Sequence, residues 1–186
     1  MLNHSGTIEI KTERLLLRKF ALADAEDMLK YWISYPMVQY QYLDAAVPSM
    51  EEVEELLKNW IKQYDKENYY HWAIIEIESD CCIGHFGLWY DEEDDTWMPT
   101  YCIGEKFQCK GYMTEAYKAV IKFAFTQLNV EKLDVATRSA NIASQQVINK
   151  CGFIHVDTEK NALYENGIIM DRYFYALTKD EWLRIK

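Results

Sequence analysis

Residues 114–128 leave this chain little choice of architecture. As a helix, the stretch sets Ala116, Tyr117, Val120, Ile121, Phe123, Ala124, Phe125 and Leu128 around most of its circumference. A surface helix is apolar along one stripe, so one that is apolar nearly all round must be covered on more than one side. Some other layer has to receive it. Residues 70–77, 82–90 and 97–103, just upstream, read as three strands. Their connections, Glu78-Ser79-Asp80 and the acids at 91–95, are short enough for an antiparallel meander. The acidic run reads as a solvated hairpin tip.

The flanking segments complete the pattern. Residues 15–20 form a first strand, and 24–31 a helix that ends before Pro36. Ser49 and Glu52, after Pro48, make a capping box. The helix it opens gathers Val53, Leu56, Leu57, Trp60, Ile61 and Tyr64 on one face, with Glu51, Glu54, Glu55, Lys58 and Lys62 opposite. After the central helix come a strand at 133–136, a helix at 142–151, and strands at 153–158 and 168–177 joined by a turn at Asn166-Gly167. Thr178 and Glu181 form a second capping box that opens a last short helix. The order β-α-α-β-β-β-α-β-α-β-β shows no repeat and no linker. It predicts an α+β (mixed α/β) fold with one core, a single domain over residues 1–186.

Composition narrows the function. The 186 residues carry 20 Lys+Arg against 30 Asp+Glu, a net charge of −10. Such a surface does not grip nucleic acid or an anionic membrane. A polyanionic ligand must be held by a local device. No apolar run approaches the roughly 20 residues of a membrane span. Residues 1–10 lack the basic and apolar regions of a secretion signal. The five cysteines are therefore expected as reduced thiols in a cytoplasm. With no CxxC pair and four scattered histidines, no metal site is expected.

The local device lies between the strand at 97–103 and the central helix. Gln108-Cys109-Lys110-Gly111-Tyr112-Met113-Thr114 is a glycine-bearing turn at a helix N-terminus. There the first N–H groups have no intrahelical partners and the helix dipole is positive. That combination binds phosphate without a basic surface. Gly111 allows close backbone approach. Four lysines (106, 110, 118 and 122) against Glu105 and Glu115 make a modest basic island around the turn. The spacing fits neither a Walker A loop nor a dinucleotide GxGxxG. By itself it is equally a plain strand-to-helix connection.

The 108–116 segment resembles the acyl-CoA pyrophosphate loop of the GNAT acetyltransferase superfamily, written Gln/Arg-x-x-Gly-x-Gly/Ala. Three further stretches are similar to the branch containing the ribosomal-protein N-terminal acetyltransferases. Thr12-Glu13-Arg14-Leu15-Leu16-Leu17-Arg18 resembles its opening strand, and Ile83-Gly84 its third-strand Ile-Gly. Asn141-Ile142-Ala143-Ser144 through Lys150-Cys151-Gly152-Phe153 resembles its Asn-x-x-Ser…Lys-x-Gly-Phe segment. The likeness runs over about residues 8–180. Cys109 and Met113 depart from the loop pattern at positions where glycine or alanine is common.

The resemblance implies a mostly antiparallel sheet with helices on both faces, splayed between the strands at 97–103 and 133–136. Acetyl-CoA would enter the splay as co-substrate, with no metal. Its pantetheine arm would pair with backbone near Cys102 and Ile103. Its pyrophosphate would lie on Gln108, Cys109, Lys110, Gly111, Tyr112, Met113 and Thr114. Asn141, Ser144 and Lys150 are further coenzyme contacts, although Asn141 also suits a helix N-cap and Lys150 a helix C-terminus. Gly152 reads better as a helix terminator. The superfamily's usual tyrosine acid is replaced by Ile148, which makes Ser144 the catalytic candidate.

The reaction implied is direct attack of a neutral amine on the thioester. The acceptor is a protein N-terminus on branch resemblance. A small-molecule amine, or a catalytically silent acyl-CoA-binding module, are the alternatives. A homodimer is allowed by the resemblance and required by nothing in the sequence. Candidates for the base are Glu165 and the 91–95 carboxylates. Covalent catalysis by Cys109 or Cys151 lacks a neighbouring histidine. The aromatics Trp32, Tyr35, Tyr40, Tyr42, Trp89 and Trp97 read as core before ligand contacts, although the loop-like stretch 31–43, rich in aromatic and amide side chains, could line an acceptor pocket beside the cleft.

Overall fold

The computed structural model describes residues 2–34, 49–92, 95–165 and 167–185, with Glu165 as backbone only. In chain order the elements are β1 (Ile10–Lys11), β2 (Leu15–Arg18), α1 (Ala25–Tyr31), α2 (Met50–Gln63), β3 (Tyr70–Glu76), β4 (Cys81–Asp91) and β5 (Thr96–Ile103). Then follow α3 (Tyr112–Phe123), β6 (Lys132–Arg138), α4 (Ile142–Lys150), β7 (Ile154–Glu165), β8 (Ile168–Thr178) and α5 (Lys179–Arg184). Both capping boxes form, at Ser49/Glu52 and Thr178/Glu181.

The strands make one sheet in the order β1-β2-β3-β4-β5-β6-β8-β7. Every neighbouring pair is antiparallel except β5 and β6. That parallel pair has a single rung, Trp97↔Leu133, reinforced by a hydrogen bond from Thr96 Oγ1 to Asp134. Beyond this vertex the two strands form no further rung. The sheet is therefore open at the C-terminal end of β5, the splay expected between 97–103 and 133–136.

Side-chain alternation divides the core between the two faces. Tyr70, Trp72 and Ile74 of β3, Phe86 of β4 and Tyr101 of β5 pack with α3 on one face, together with Ile148 of α4 and Trp182 of α5. Ala73 and Ile75 of β3 and Cys102 of β5 face Met28 of α1 and Val53 and Leu57 of α2 on the other. Strand β3 is buried along its whole length, as expected of a strand covered twice.

Two boundaries and the form of one helical turn differ from expectation. The central helix begins earlier, at Tyr112, because Gly111 is left-handed with φ 83° and starts it. Its last turn, Ala124–Leu128, widens to π geometry and closes on left-handed Asn129. Strand β7 continues well past residue 158, through a register shift between Glu159 and Leu163. Asn161 takes φ 54° in that shift, and Asp171 accepts its N–H at 3.0 Å. Local propensity ends the strand there, but long-range pairing with β8 carries it on. The short β1 has no signal in the sequence beyond its pairing with β2.

Candidate active site

Below Ile103 the chain makes a 3-10 turn, Glu105–Phe107, and enters the loop ahead of α3. Two loop residues are left-handed, Cys109 with φ 59° and Gly111 with φ 83°. Such a conformation costs a non-glycine residue roughly 1–2 kcal/mol, so Cys109 is held there by the loop. Helices α2, α4 and α5 are each closed by a side-chain cap, from Ser49, Asn141 and Thr178. Helix α3, like α1, has no side-chain cap. Its first N–H groups, on Tyr112, Met113 and Thr114, belong to residues lining a cleft of about 350 Å³. Uncapped N–H groups at the positive end of a helix, next to left-handed backbone, form an anion cradle.

The cradle is tied down from the turn that precedes β2. Arg14 donates to the carbonyl of Lys110 at 3.0 Å and lies 4.6 Å over the Tyr112 ring. The same guanidinium meets Glu115, in the first turn of α3, at 2.7 Å. Glu115 also accepts the Arg14 backbone N–H and the Thr12 hydroxyl. Partial burial pushes the Glu115 carboxyl up, but these bonds and the guanidinium outweigh it and hold it below its ordinary range. On the other flank, Tyr112 donates its hydroxyl to Glu76.

At the splay the cleft is lined by Tyr101, Cys102 and Ile103 from β5 and by Asn141 and Ser144 from α4. The Tyr101 and Ser144 hydroxyls are 2.8 Å apart. Tyr101 was missed from the sequence. Its alternation with Trp97 puts it on the face that receives α4, a signal readable only once the helix packing is known. Burial pushes the Tyr101 phenol up, against the opposing effect of its bond to Ser144. Ile148 is fully buried in the main core, so no side chain from that position reaches the cleft.

Every coenzyme contact expected from the sequence lines this cleft except Lys110. Lys110 gives its carbonyl to Arg14 and holds its ammonium 5.4 Å over the Phe107 ring. Gln108 turns back to donate to the Ile103 carbonyl at 3.2 Å. Asn141 is a cap as well as a lining residue, its Oδ1 accepting the Ser144 N–H at 3.1 Å. Gly152 ends α4 with φ 90°.

The buried thiols are held in the protonated form. Burial pushes the Cys151 thiol up to about 12 and raises Cys102 still further, so both stay protonated. Cys109 is exposed. Trp32 and Trp97 are buried, while Trp89 is partly exposed and donates to Thr100. Tyr35, Tyr40, Tyr42, residues 93–94 and the Glu165 side chain lie outside the described residues. Asp95 accepts the Tyr90 hydroxyl at 2.6 Å.

A second polar cluster lies on the α1/α2 face, behind Cys102. His85 is the register partner of Cys102. Its Nδ1 is 3.1 Å from His71 Nε2, and His71 Nδ1 is 3.1 Å from the Tyr69 hydroxyl. Burial pushes His85 down to about 3 and, with His85 beside it, lowers His71 well below its ordinary value. Both rings are neutral at pH 7.

Comparison with known proteins gives this geometry a context. A family model described as an acetyltransferase (GNAT) domain matches residues 14–154. Among relatives, the uncharacterized N-acetyltransferase YnaD of Bacillus subtilis (strain 168) is 25% identical over 175 residues, covering 94% of this chain and 99% of its own. YdaF of the same organism, provisionally named a ribosomal N-acetyltransferase, is 28% identical over 174 residues, covering 91% of this chain and 94% of its own. Among solved structures, RimL, a ribosomal L7/L12 alpha-N-protein acetyltransferase in complex with coenzyme A, superposes with a TM-score of 0.79 at 20% identity. That match covers 94% of this chain and 99% of RimL.

Proposed function

The chain belongs to the GNAT acetyltransferase family, and from that membership we propose that it moves acetyl from acetyl-CoA to the terminal amine of a protein chain, by direct attack in a ternary complex. The observation that carries the reading is the cleft itself. One end is the uncapped N-terminus of α3 and the other is the Tyr101–Ser144 pair at the splay. A coenzyme that is phosphorylated at one end and carries a thioester at the other needs these two devices in this order.

In this reading the pyrophosphate lies on the N–H groups of Gly111 to Thr114, and Asn141 and Lys150 flank the coenzyme. The pantetheine arm runs along β5, whose edge is freed where the pairing with β6 stops after Trp97. It adds a pseudo-strand there. The thioester then sits near Ile103, where a backbone N–H meets the oxyanion. The amine attacks as the neutral base and the thiolate leaves toward Ser144. Holding both substrates at the splay supplies much of the acceleration. A protein acceptor is supported by the likeness, over nearly the whole chain, to YdaF, whose name gives it a ribosomal one.

Two measurements test the reading. Peptides with free N-termini are compared with polyamines and amino acids in the presence of acetyl-CoA, with release of free thiol as the signal. Thiol release with peptides supports it. Release with small amines alone moves the acceptor to that class, and no release with any amine reduces the protein to a binding module. Gly111→Glu, which puts a carboxylate into the cradle, should abolish acetyl-CoA binding in calorimetry with the circular dichroism unchanged. Unaltered affinity would remove the phosphate site from this loop.

A further inference from the structure

The bond between Tyr101 and Ser144 carries an inference about which way the serine proton points. A phenol is a far stronger acid than an aliphatic alcohol, so in a phenol–alcohol pair the phenol is the better donor and the alcohol the better acceptor. The two oxygens are 2.8 Å apart, a distance at which either hydroxyl can donate, and this difference in acidity favours Tyr101 as the donor to Ser144 Oγ. Packing holds the Tyr101 ring in place. It is stacked on Phe86 at 5.7 Å and held against Tyr117 at 5.1 Å. The Ser144 backbone is anchored as well, its N–H donating to Asn141 Oδ1. With one lone pair of Oγ taken by the phenol, the serine O–H must turn away from Tyr101. Both residues line the cleft, so an O–H freed in this way is available to a thioester sulfur held there.

We propose that Tyr101 is a positioning residue for the acyl transfer: it fixes the Ser144 hydroxyl as a donor aimed at the leaving sulfur. The proposal rests on the reading above that Ser144 faces the thioester. No proton passes from Tyr101 to the thiolate in this scheme. Burial keeps its proton in place. The thiolate receives a hydrogen bond from Ser144 as the carbon–sulfur bond breaks, and its proton comes from the attacking amine, which must shed one to give the amide. The bond also joins β5 to α4 across the gap that β6 leaves open, so the donor is set at the mouth of the splay.

The test is a double-mutant cycle on the full chain, with acetyl-CoA and a peptide amine. Ser144→Ala is expected to lower kcat roughly 10- to 100-fold, and Tyr101→Phe about tenfold, with KM for acetyl-CoA within about twofold of wild type for both. The double variant should be no slower than Ser144→Ala, because Tyr101 acts through the serine. A merely structural role would raise KM with kcat unchanged, or make the two losses multiply in the double variant, and either result overturns the proposal. Wild-type turnover in Tyr101→Phe beside a slow Ser144→Ala also overturns it, leaving the role of Ser144 standing. Wild-type turnover in Ser144→Ala removes the serine from the mechanism, and the positioning role falls with it.

Discussion

Arg14 and Glu115 meet at 2.7 Å, although one precedes β2 and the other lies in the first turn of α3. The pair links the start of the sheet to the helix whose N-terminus makes the cradle. Because Arg14 also holds the Lys110 carbonyl, it fixes the loop on both sides of Gly111. The Arg14 side chain is 43% exposed, so water screens the ion pair and its direct contribution to stability is about 1 kcal/mol or less. Its larger effect is on loop geometry. Arg14→Gln should weaken acetyl-CoA binding about tenfold, equivalent to about 1.4 kcal/mol, with kcat at saturating coenzyme unchanged. Calorimetry and steady-state kinetics check the split. A variant that binds normally while turning over slowly contradicts this role.

Gly84 faces the carbonyl of Cys102 at a distance no larger side chain permits. A Cβ built on it would stand 2.2 Å from that oxygen and 2.9 Å from Ile103 Cα. Both neighbours are backbone, so a side chain there has to push β5 away from β4. Gly84→Ala should therefore destabilise the fold by about 2–3 kcal/mol. It should also raise the acetyl-CoA dissociation constant, since Cys102 and Ile103 line the cleft. Urea unfolding and calorimetry on the same variant measure both. A loss below about 0.5 kcal/mol would mean that the strands yield at little cost.

Local signals were legible in the sequence and long-range ones were not. The Ser49/Glu52 and Thr178/Glu181 boxes work over three residues, and both form as read. The turn before α3 and the all-round apolar helix were likewise written in consecutive residues. The bonds that finish the cleft join residues far apart in the chain. Tyr101 reaches Ser144 across 43 positions and Arg14 reaches Glu115 across 101. His71 and His85 become neighbours only through the register of β3 with β4, which contains a shift between Ile74 and Ile75. Hydrophobic alternation tells which face a strand residue takes. It does not tell which partner strand or helix waits there. The resemblance supplied the layout of the cleft, but not the residues that hold it in place.

The buried His71–His85 pair predicts a specific loss of stability in weak acid. Both rings have folded pKa values below the ordinary histidine value, so the unfolded chain binds protons that the folded chain refuses. Stability is therefore complete above about pH 6.5 and falls as pH drops below it. A ring that stays neutral in the fold costs up to about 1.4 kcal/mol per pH unit once the unfolded histidine is protonated, so stability falls progressively from pH 6.5 toward pH 5. Glu76, Glu115, Asp171 and Glu181 are held below their ordinary values and lose their contributions only at lower pH. The window above pH 5 thus belongs to the histidines. Urea unfolding at pH 7.5, 6 and 5 should show proton uptake on unfolding that is small at pH 7.5 and approaches two at pH 5. His85→Gln, which keeps a polar side chain beside His71, should reduce the uptake to about one. Equal stability at pH 5 and 7.5 in the wild-type protein would mean that the rings are protonated within the fold, and the neutral pair behind Cys102 would have to be abandoned.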